Sequence, residues 1–176
     1  TVNNYGPWQF PEKLIPLVTL NALEGKTLPV YGDGSNQRDW LFVDDHAEAL
    51  VRVVERGQPG ATYAIGGRQP RSNLQVVQAI CAAIDARRPD PAGPRRRLIS
   101  FVADRPGHDF RYEIDPSHAE RVLDWKAPHD FDSGLAATVD WYLANRPWRE
   151  GVRAARYAGQ RLGQAATVMA GEAGPA

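Results

Sequence analysis

The chain has one cysteine, one methionine and no excess of either charge. A single thiol, Cys81, leaves no intrachain disulfide to form, and a reducing compartment, the cytoplasm, is the expected setting. Cys81 lies in the apolar run Ala79–Ile84, where a core position is expected rather than a nucleophile. Lys plus Arg and Asp plus Glu each number 21, so no global field draws nucleic acid or an anionic membrane surface. No apolar stretch approaches the roughly 20 residues of a membrane span, and no signal peptide is visible. His46, His108, His118 and His129 are dispersed, without metal-ligand spacing. The chain has no G-x-S-x-G elbow. Tyr-x-x-x-Lys is also missing, since Tyr5, Tyr31, Tyr63, Tyr112, Tyr142 and Tyr157 all lack Lys four residues on. No residue is therefore assigned a catalytic role. Gly32-Asp-Gly34-Ser-Asn-Gln37 resembles half of a dinucleotide-binding glycine motif. Its last glycine is absent and a strand follows, so a hairpin turn is expected.

At 43% hydrophobic and 24% charged, the composition is that of a soluble globular protein. The densest segment is Asn3–Leu17, NNYGPWQFPEKLIPL. Pro11 suits a first helical position, where its missing N–H is no loss. Free amides near Lys13 and Leu14, with the Lys13 ammonium and the helix dipole, can hold an anion. The chain starts at Thr1 with no Met shortly before this segment, and is expected to be the back part of a longer protein.

Helices and strands alternate along residues 1–150, which points to an α/β or α+β domain. The spacing predicts a helix from about Pro11 to Glu24 and a strand over Leu28–Tyr31. Arg38–Val43 reads as the next strand, and Asp44 or Asp45 as the cap of a second helix. Its apolar face is Ala47, Leu50, Val51 and Val54. Ala61–Ile65 reads as a strand. Ser72 or Asn73 caps a third helix from Leu74 to about Ala86. Arg87-Arg88 with Arg95-Arg96-Arg97, set among Pro and Gly, is expected to be a solvated loop, because no aromatics are interleaved with it. Leu98–Val102 and Arg111–Ile114 look extended. Asp115-Pro116 opens a short helix ending near Trp125, and Phe131 to Asn145 reads as a strong one terminated by Pro147. From Glu150 onward large apolar residues become scarce, and residues 151–176 are expected to form a flexible or weakly helical tail.

Two cations stand out by residue type. Arg38 is a candidate phosphate clamp, since guanidinium matches phosphate oxygens in bidentate fashion; a salt bridge to Asp39, Asp44 or Asp45 is the alternative. Asp104-Arg-Pro-Gly-His-Asp109 packs a cation and an imidazole into one tight loop, and Arg105 and His108 could both reach phosphate. Asn73 either caps its helix or reads a ligand carbonyl.

Taken in order, NNYGPWQFPEKLIPL, LPVYGDGSNQRDWLFVDDHAEAL, TYAIGG with SNLQVV, and FVADRPGHDFRYEID resemble the C-terminal, substrate-binding half of the dTDP-glucose 4,6-dehydratases. These belong to the extended short-chain dehydrogenase/reductase family, and the likeness runs from Thr1 to about Trp148. It implies an α/β nucleotide-sugar-binding part with the Rossmann core largely missing. It also implies roles. Asn3 would contact the sugar-nucleotide and Asn4 the nicotinamide of NAD. Lys13 and Leu14 would hold the nucleotide, and Pro29, Val30 and Tyr31 would flank its base. Arg38 and Arg105 would meet the diphosphate, and Asn73, Asp104 and His108 would complete the pocket. The ligand would be dTDP-glucose or a related nucleotide-sugar. The intact enzymes oxidise the sugar at C4 with NAD, eliminate water across C5 and C6, and return the hydride to C6. The catalytic groups and most of the NAD site would lie in the half not present here, as would the contact by which such enzymes form homodimers. The chain alone is therefore expected to be inactive. A related NAD-dependent epimerase or decarboxylase, or a non-catalytic nucleotide-sugar-binding module, is the alternative.

Overall fold

The computed structural model describes residues 1–155. In chain order its elements are β1 (Asn3–Tyr5), α1 (Leu14–Leu23), β2 (Leu28–Tyr31), β3 (Gln37–Phe42), α2 (Val43–Arg56), β4 (Pro70–Ser72) and α3 (Asn73–Arg87). A short 3-10 helix, Arg95–Leu98, leads into β5 (Ile99–Val102), followed by β6 (Arg111–Tyr112), α4 (Ser117–Leu123), α5 (Phe131–Ala144) and α6 (Arg146–Ala155). The class is α/β, with parallel pairing dominant. β3 lies parallel to β1 along Asn3–Trp40 to Tyr5–Phe42, parallel to β6 at Gln37–Arg111 and Arg38–Tyr112, and antiparallel to β4. β2 and β5 form a separate parallel pair. α6 runs across the division expected at residue 150, and the rest of the expected tail lies outside the described residues.

That pairing corrects the expected hairpin, because β2 and β3 belong to different sheets. The turn between them closes through the Gly34 amide to the Tyr31 carbonyl at 3.0 Å. Gly34 has φ +76° and a Cβ there would lie 2.7 Å from Val30 Cγ1, so the position suits glycine alone. The expected strand at Ala61–Ile65 does not form. Its place beside β3 is taken further on by β4, and the approach to it is anchored by Asp39. The buried Asp39 carboxylate accepts the amides of Gly67 at 3.1 Å, Arg68 at 3.3 Å and Gln69 at 2.6 Å.

The main core lies between β1, β2 and β3 and the helices α1, α3 and α5. α3 contributes Val76, Val77, Ile80, Cys81 and Ile84, spaced i, i+3/i+4 on one face, with Cys81 in the core as expected. Cys81 is fully buried, and desolvation pushes its thiol up to about 11, which fits a packing role. Gly134 on α5 makes room for Tyr5, whose hydroxyl donates to the Phe131 carbonyl at 3.2 Å. A smaller core joins Val2, Leu41, Ala49 and Ile65 to Ala119, Leu123 and Trp125.

α2 reverses its expected orientation. Asp45 and Ala49 are buried, while Leu50 is 52% exposed, Val51 54% and Val54 86%. No Asp side chain caps this helix; Asp45 turns inward instead, accepting the His129 amide at 3.1 Å and standing 2.6 Å from its Nδ1. The basic loop also departs from expectation at one residue. Arg95 is only 4% exposed, and its side chain bonds the Ala22 carbonyl at 2.9 Å, Asp85 at 2.5 Å and the Arg88 carbonyl at 2.7 Å. It thus ties the end of α1 to the end of α3.

Candidate functional site

A cavity of about 860 Å³ opens where the N-terminus of α1, the outer face of β2, the start of β3 and the loop before β6 meet. Each wall follows from local structure. Helix α1 begins at Leu14, not Pro11. Lys13 is its N-cap with extended backbone, and the first helical bond runs from the Leu17 amide to the Lys13 carbonyl at 2.9 Å. The amides of Leu14 and Ile15 are in the first turn, where no earlier helical carbonyl can accept them, and Pro16 has no N–H to leave unpaired. The helix thus presents two amides at the cavity wall. The Lys13 ammonium stands beside them but is already 2.8 Å from Glu12.

Strand alternation sorts the next wall. Leu28 and Val30 point into the core, Val30 being 2% exposed, while Pro29 and Tyr31 face the cavity. Of the three residues expected to flank a base, Val30 can therefore offer only its backbone. Tyr31 meets the His108 ring edge-to-face with centroids 6.2 Å apart. Asp104 does not line the cavity itself. Its carboxylate sits 2.7 Å from His108 Nδ1 and accepts the Arg105 amide at 2.8 Å, so it fixes the imidazole rather than the ligand. These bonds, the one from His108 foremost, hold the Asp104 carboxyl below its ordinary range.

The salt bridge expected as the alternative for Arg38 does not form among the described residues. Asp39 points to the other side of the strand and Asp45 is engaged by His129. The Arg38 guanidinium instead donates to the carbonyls of Gln37 at 2.6 Å, Asp109 at 2.7 Å and Phe110 at 3.4 Å. Among the described residues it has no carboxylate partner, and it lines the cavity together with Arg105. Asn73 does not cap α3. Ser72 does, in a capping box with Gln75: the Gln75 amide donates to Ser72 Oγ at 3.2 Å and the Ser72 amide to Gln75 Oε1 at 2.8 Å. Asn73 is left to face the cavity.

Asn3 and Asn4, on β1, complete the far wall. Asn4 Oδ1 is buried and without a partner among the described residues. Beside it, Gln9 Nε2 donates to the Asn4 carbonyl at 2.9 Å. Gln9, Glu12, Trp40, Asp109 and Tyr112 also line the cavity, though residue type had not singled them out. Position on β3 could have flagged Trp40, since it is two residues beyond Arg38 on the same strand face. Trp8 stays outside, packed on Trp141 and Trp148 at 4.7 and 5.6 Å between ring centroids. The cavity thus gathers two guanidiniums, two helix-start amides, an oriented imidazole and several side-chain amides. That set suits a polyanion bearing a polar head and a stackable ring. Among the described residues no His, Cys, Asp or Glu group could hold a metal ion, and no helix is long and apolar enough to cross a membrane.

Comparison with known proteins adds to this geometry. The model of the family described as GDP-mannose 4,6 dehydratase matches residues 1–138. The dTDP-glucose 4,6-dehydratase of Xanthomonas campestris pv. campestris (strain B100) is 54% identical over 162 residues, covering 92% of this chain and 46% of that protein. The dTDP-glucose 4,6-dehydratase of Bacillus anthracis, solved in complex with NAD, superposes with a TM-score of 0.77 at 43% identity, over 86% of this chain and 45% of that one. DesIV, a dTDP-glucose 4,6-dehydratase from Streptomyces venezuelae solved with NAD as a double mutant, gives 0.78 at 41% identity, over 86% and 44%. The chain therefore spans a little under half the length of each of these relatives.

Proposed function

The chain belongs to the GDP-mannose 4,6-dehydratase family, and from that premise we propose that it is the nucleotide-sugar-binding half of an NAD-dependent dTDP-glucose 4,6-dehydratase, a lyase. The observation that carries this reading is the convergence of Arg38, Arg105, the α1 start and the Tyr31–His108 pair on one cavity. Arg38 and Arg105 neutralise the diphosphate, with the Leu14 and Ile15 amides adding donors. Pro29 and Tyr31 flank the base, and His108, steadied by Asp104, and Asn73 close that end of the pocket. Two residues further along β3, about 6.6 Å at strand spacing, Asn3 and Trp40 stand side by side where the hexose would follow the phosphates.

Asn4 fits the cofactor, because its buried Oδ1 is an acceptor in need of a donor and a nicotinamide carboxamide carries one. Bound NAD would take up hydride from the sugar and give it back. This chain's own residues bind and orient: they hold the diphosphate and exclude water from one wall. No Tyr-x-x-x-Lys is present to move the C4 hydroxyl proton. The 176 residues by themselves accordingly bind without turning over. The reading also carries a cytoplasmic location and, for the whole enzyme, pairing of two copies.

The test is calorimetric titration of the 176-residue chain with dTDP-glucose, UDP-glucose and GDP-mannose, followed by incubation with NAD and dTDP-glucose. Binding that favours thymidine, with no 4-keto product, is expected. No binding of any nucleotide-sugar, or a preference for uridine or guanosine, would sink the assignment.

A further inference from the structure

A second cavity, of about 240 Å³, lies at the opposite end of α1 from the first, about 15 Å away along a ten-residue helix. Leu20, Leu23 and Glu24 of α1, Arg88 at the end of α3, and Arg146, Arg149 and Glu150 of α6 line it. Its charges do not cancel locally. Glu150 is engaged by Arg146 at 2.7 Å, and Glu24 stands 2.9 Å from Lys26. Arg149 Nε is buried without a hydrogen-bond partner, and the Arg88 guanidinium has no carboxylate partner among the described residues.

Arginines at helix C-termini often serve the last carbonyls. Here several of those carbonyls are already taken. Leu20 and Asn21 accept from the Glu24 amide, Ala22 from Arg95 Nε, Ala83 from Arg87, Ile84 from the Arg88 amide, and the Arg88 carbonyl from Arg95. Burial also holds the Arg149 guanidinium below its ordinary range; Arg146 and Arg88 push the same way, and Glu150 and Glu24 oppose them. Two cations lining one cavity, which is too small for a nucleotide, thus have no carboxylate within ion-pair distance among the described residues: Glu24 and Glu150 share the lining but are held by Lys26 and Arg146.

We propose that this cavity is a second anion site, taking a single phosphate group on Arg88 and Arg149. A phosphate dianion matches the two unmatched charges, and its tetrahedral oxygens suit guanidiniums arriving from two helices. The site is distinct from the nucleotide cavity and does not depend on the reading given for it.

The experiment is arginine-selective nitrogen NMR on the full 176-residue chain, titrated with inorganic phosphate or glycerol 3-phosphate at constant ionic strength. The Arg149 Nε resonance should shift saturably; the tighter of the two probes tells free phosphate from a phosphomonoester. Arg88→Gln with Arg149→Gln should weaken the effect at least about tenfold, and Arg38→Ala should leave it unchanged. A parallel thermal melt should show phosphate raising the transition of the wild-type chain, a measurement that needs no variant to fold. The proposal fails if the shift is linear in phosphate, if chloride reproduces it, if Arg38→Ala abolishes it, or if phosphate leaves the melt unmoved.

Discussion

The Asp104 carboxylate holds His108 by Nδ1 at 2.7 Å, which leaves the other ring nitrogen to whatever enters the cavity beside Tyr31. Asp104 is depressed by this bond, so the sign is that of a carboxylate stabilised by folding. Its contribution to loop order is complete above its ordinary value and disappears as pH falls through the lower, folded value. Carbon-detected NMR should give Asp104 a midpoint below the ordinary 3.8, rising toward it in His108→Gln. Asp104→Asn should weaken dTDP binding by about three- to tenfold with little change in melting. A midpoint indifferent to residue 108 would show that the pair is incidental.

Arg38→Ala should cost about 1.5–3 kcal/mol in dTDP-glucose affinity, roughly a ten- to 150-fold rise in Kd. Its guanidinium bonds only carbonyls, so global stability should fall far less than affinity. Calorimetry and thermal melting on the same sample separate the two. Unchanged affinity with a large loss of stability would make Arg38 a strut for the segment at Asp109 and Phe110, not a ligand group.

Gly134→Ala should destabilise the fold. A Cβ at that position would meet Tyr5 Oη at 2.3 Å, in the middle of the Tyr5–Phe42–Phe131 cluster. Overpacking of this kind costs about 1–3 kcal/mol, measurable as a lowered denaturant midpoint. A midpoint at or above wild type would mean that Tyr5 can move aside freely.

The double change Leu50→Lys with Val54→Lys should leave stability within about 0.5 kcal/mol, as expected for substitutions on an exposed face. It should also reduce concentration-dependent light scattering, because it interrupts an apolar stripe on α2 that faces outward. A melting temperature lowered by many degrees would place these side chains against something in solution.

How much of this was legible beforehand varied with the range of the forces involved. The core position of Cys81 was readable because the apolar residues around it repeat at helical spacing and all lie on one side. The α2 stripe was equally periodic, but periodicity reports only that a face is apolar, not what covers it. Arg95 looked like its neighbours Arg96 and Arg97, yet three acceptors from distant positions draw it inside. Arg38 and Asp39 are adjacent in sequence and so looked like partners; pleating sends them to opposite faces, which freed the arginine. Val30 was placed with Pro29 and Tyr31 by the family resemblance alone; strand alternation turns its side chain into the core. The helix start shifted to Leu14 because Pro11 belongs to a preceding turn, in which the Lys13 amide reaches the Phe10 carbonyl at 3.4 Å.

Ser72 caps α3 while its neighbour Asn73 faces the cavity, so under the proposed function recognition and folding are separable at a single dipeptide. Asn and Ser are nearly equivalent as caps. Exchanging them, Ser72→Asn with Asn73→Ser, would therefore keep a competent start for α3 while withdrawing the amide from the binding wall. If Asn73 reads the ligand as proposed, preference could be retuned by swapping neighbours, without first acquiring a compensating change in the interior.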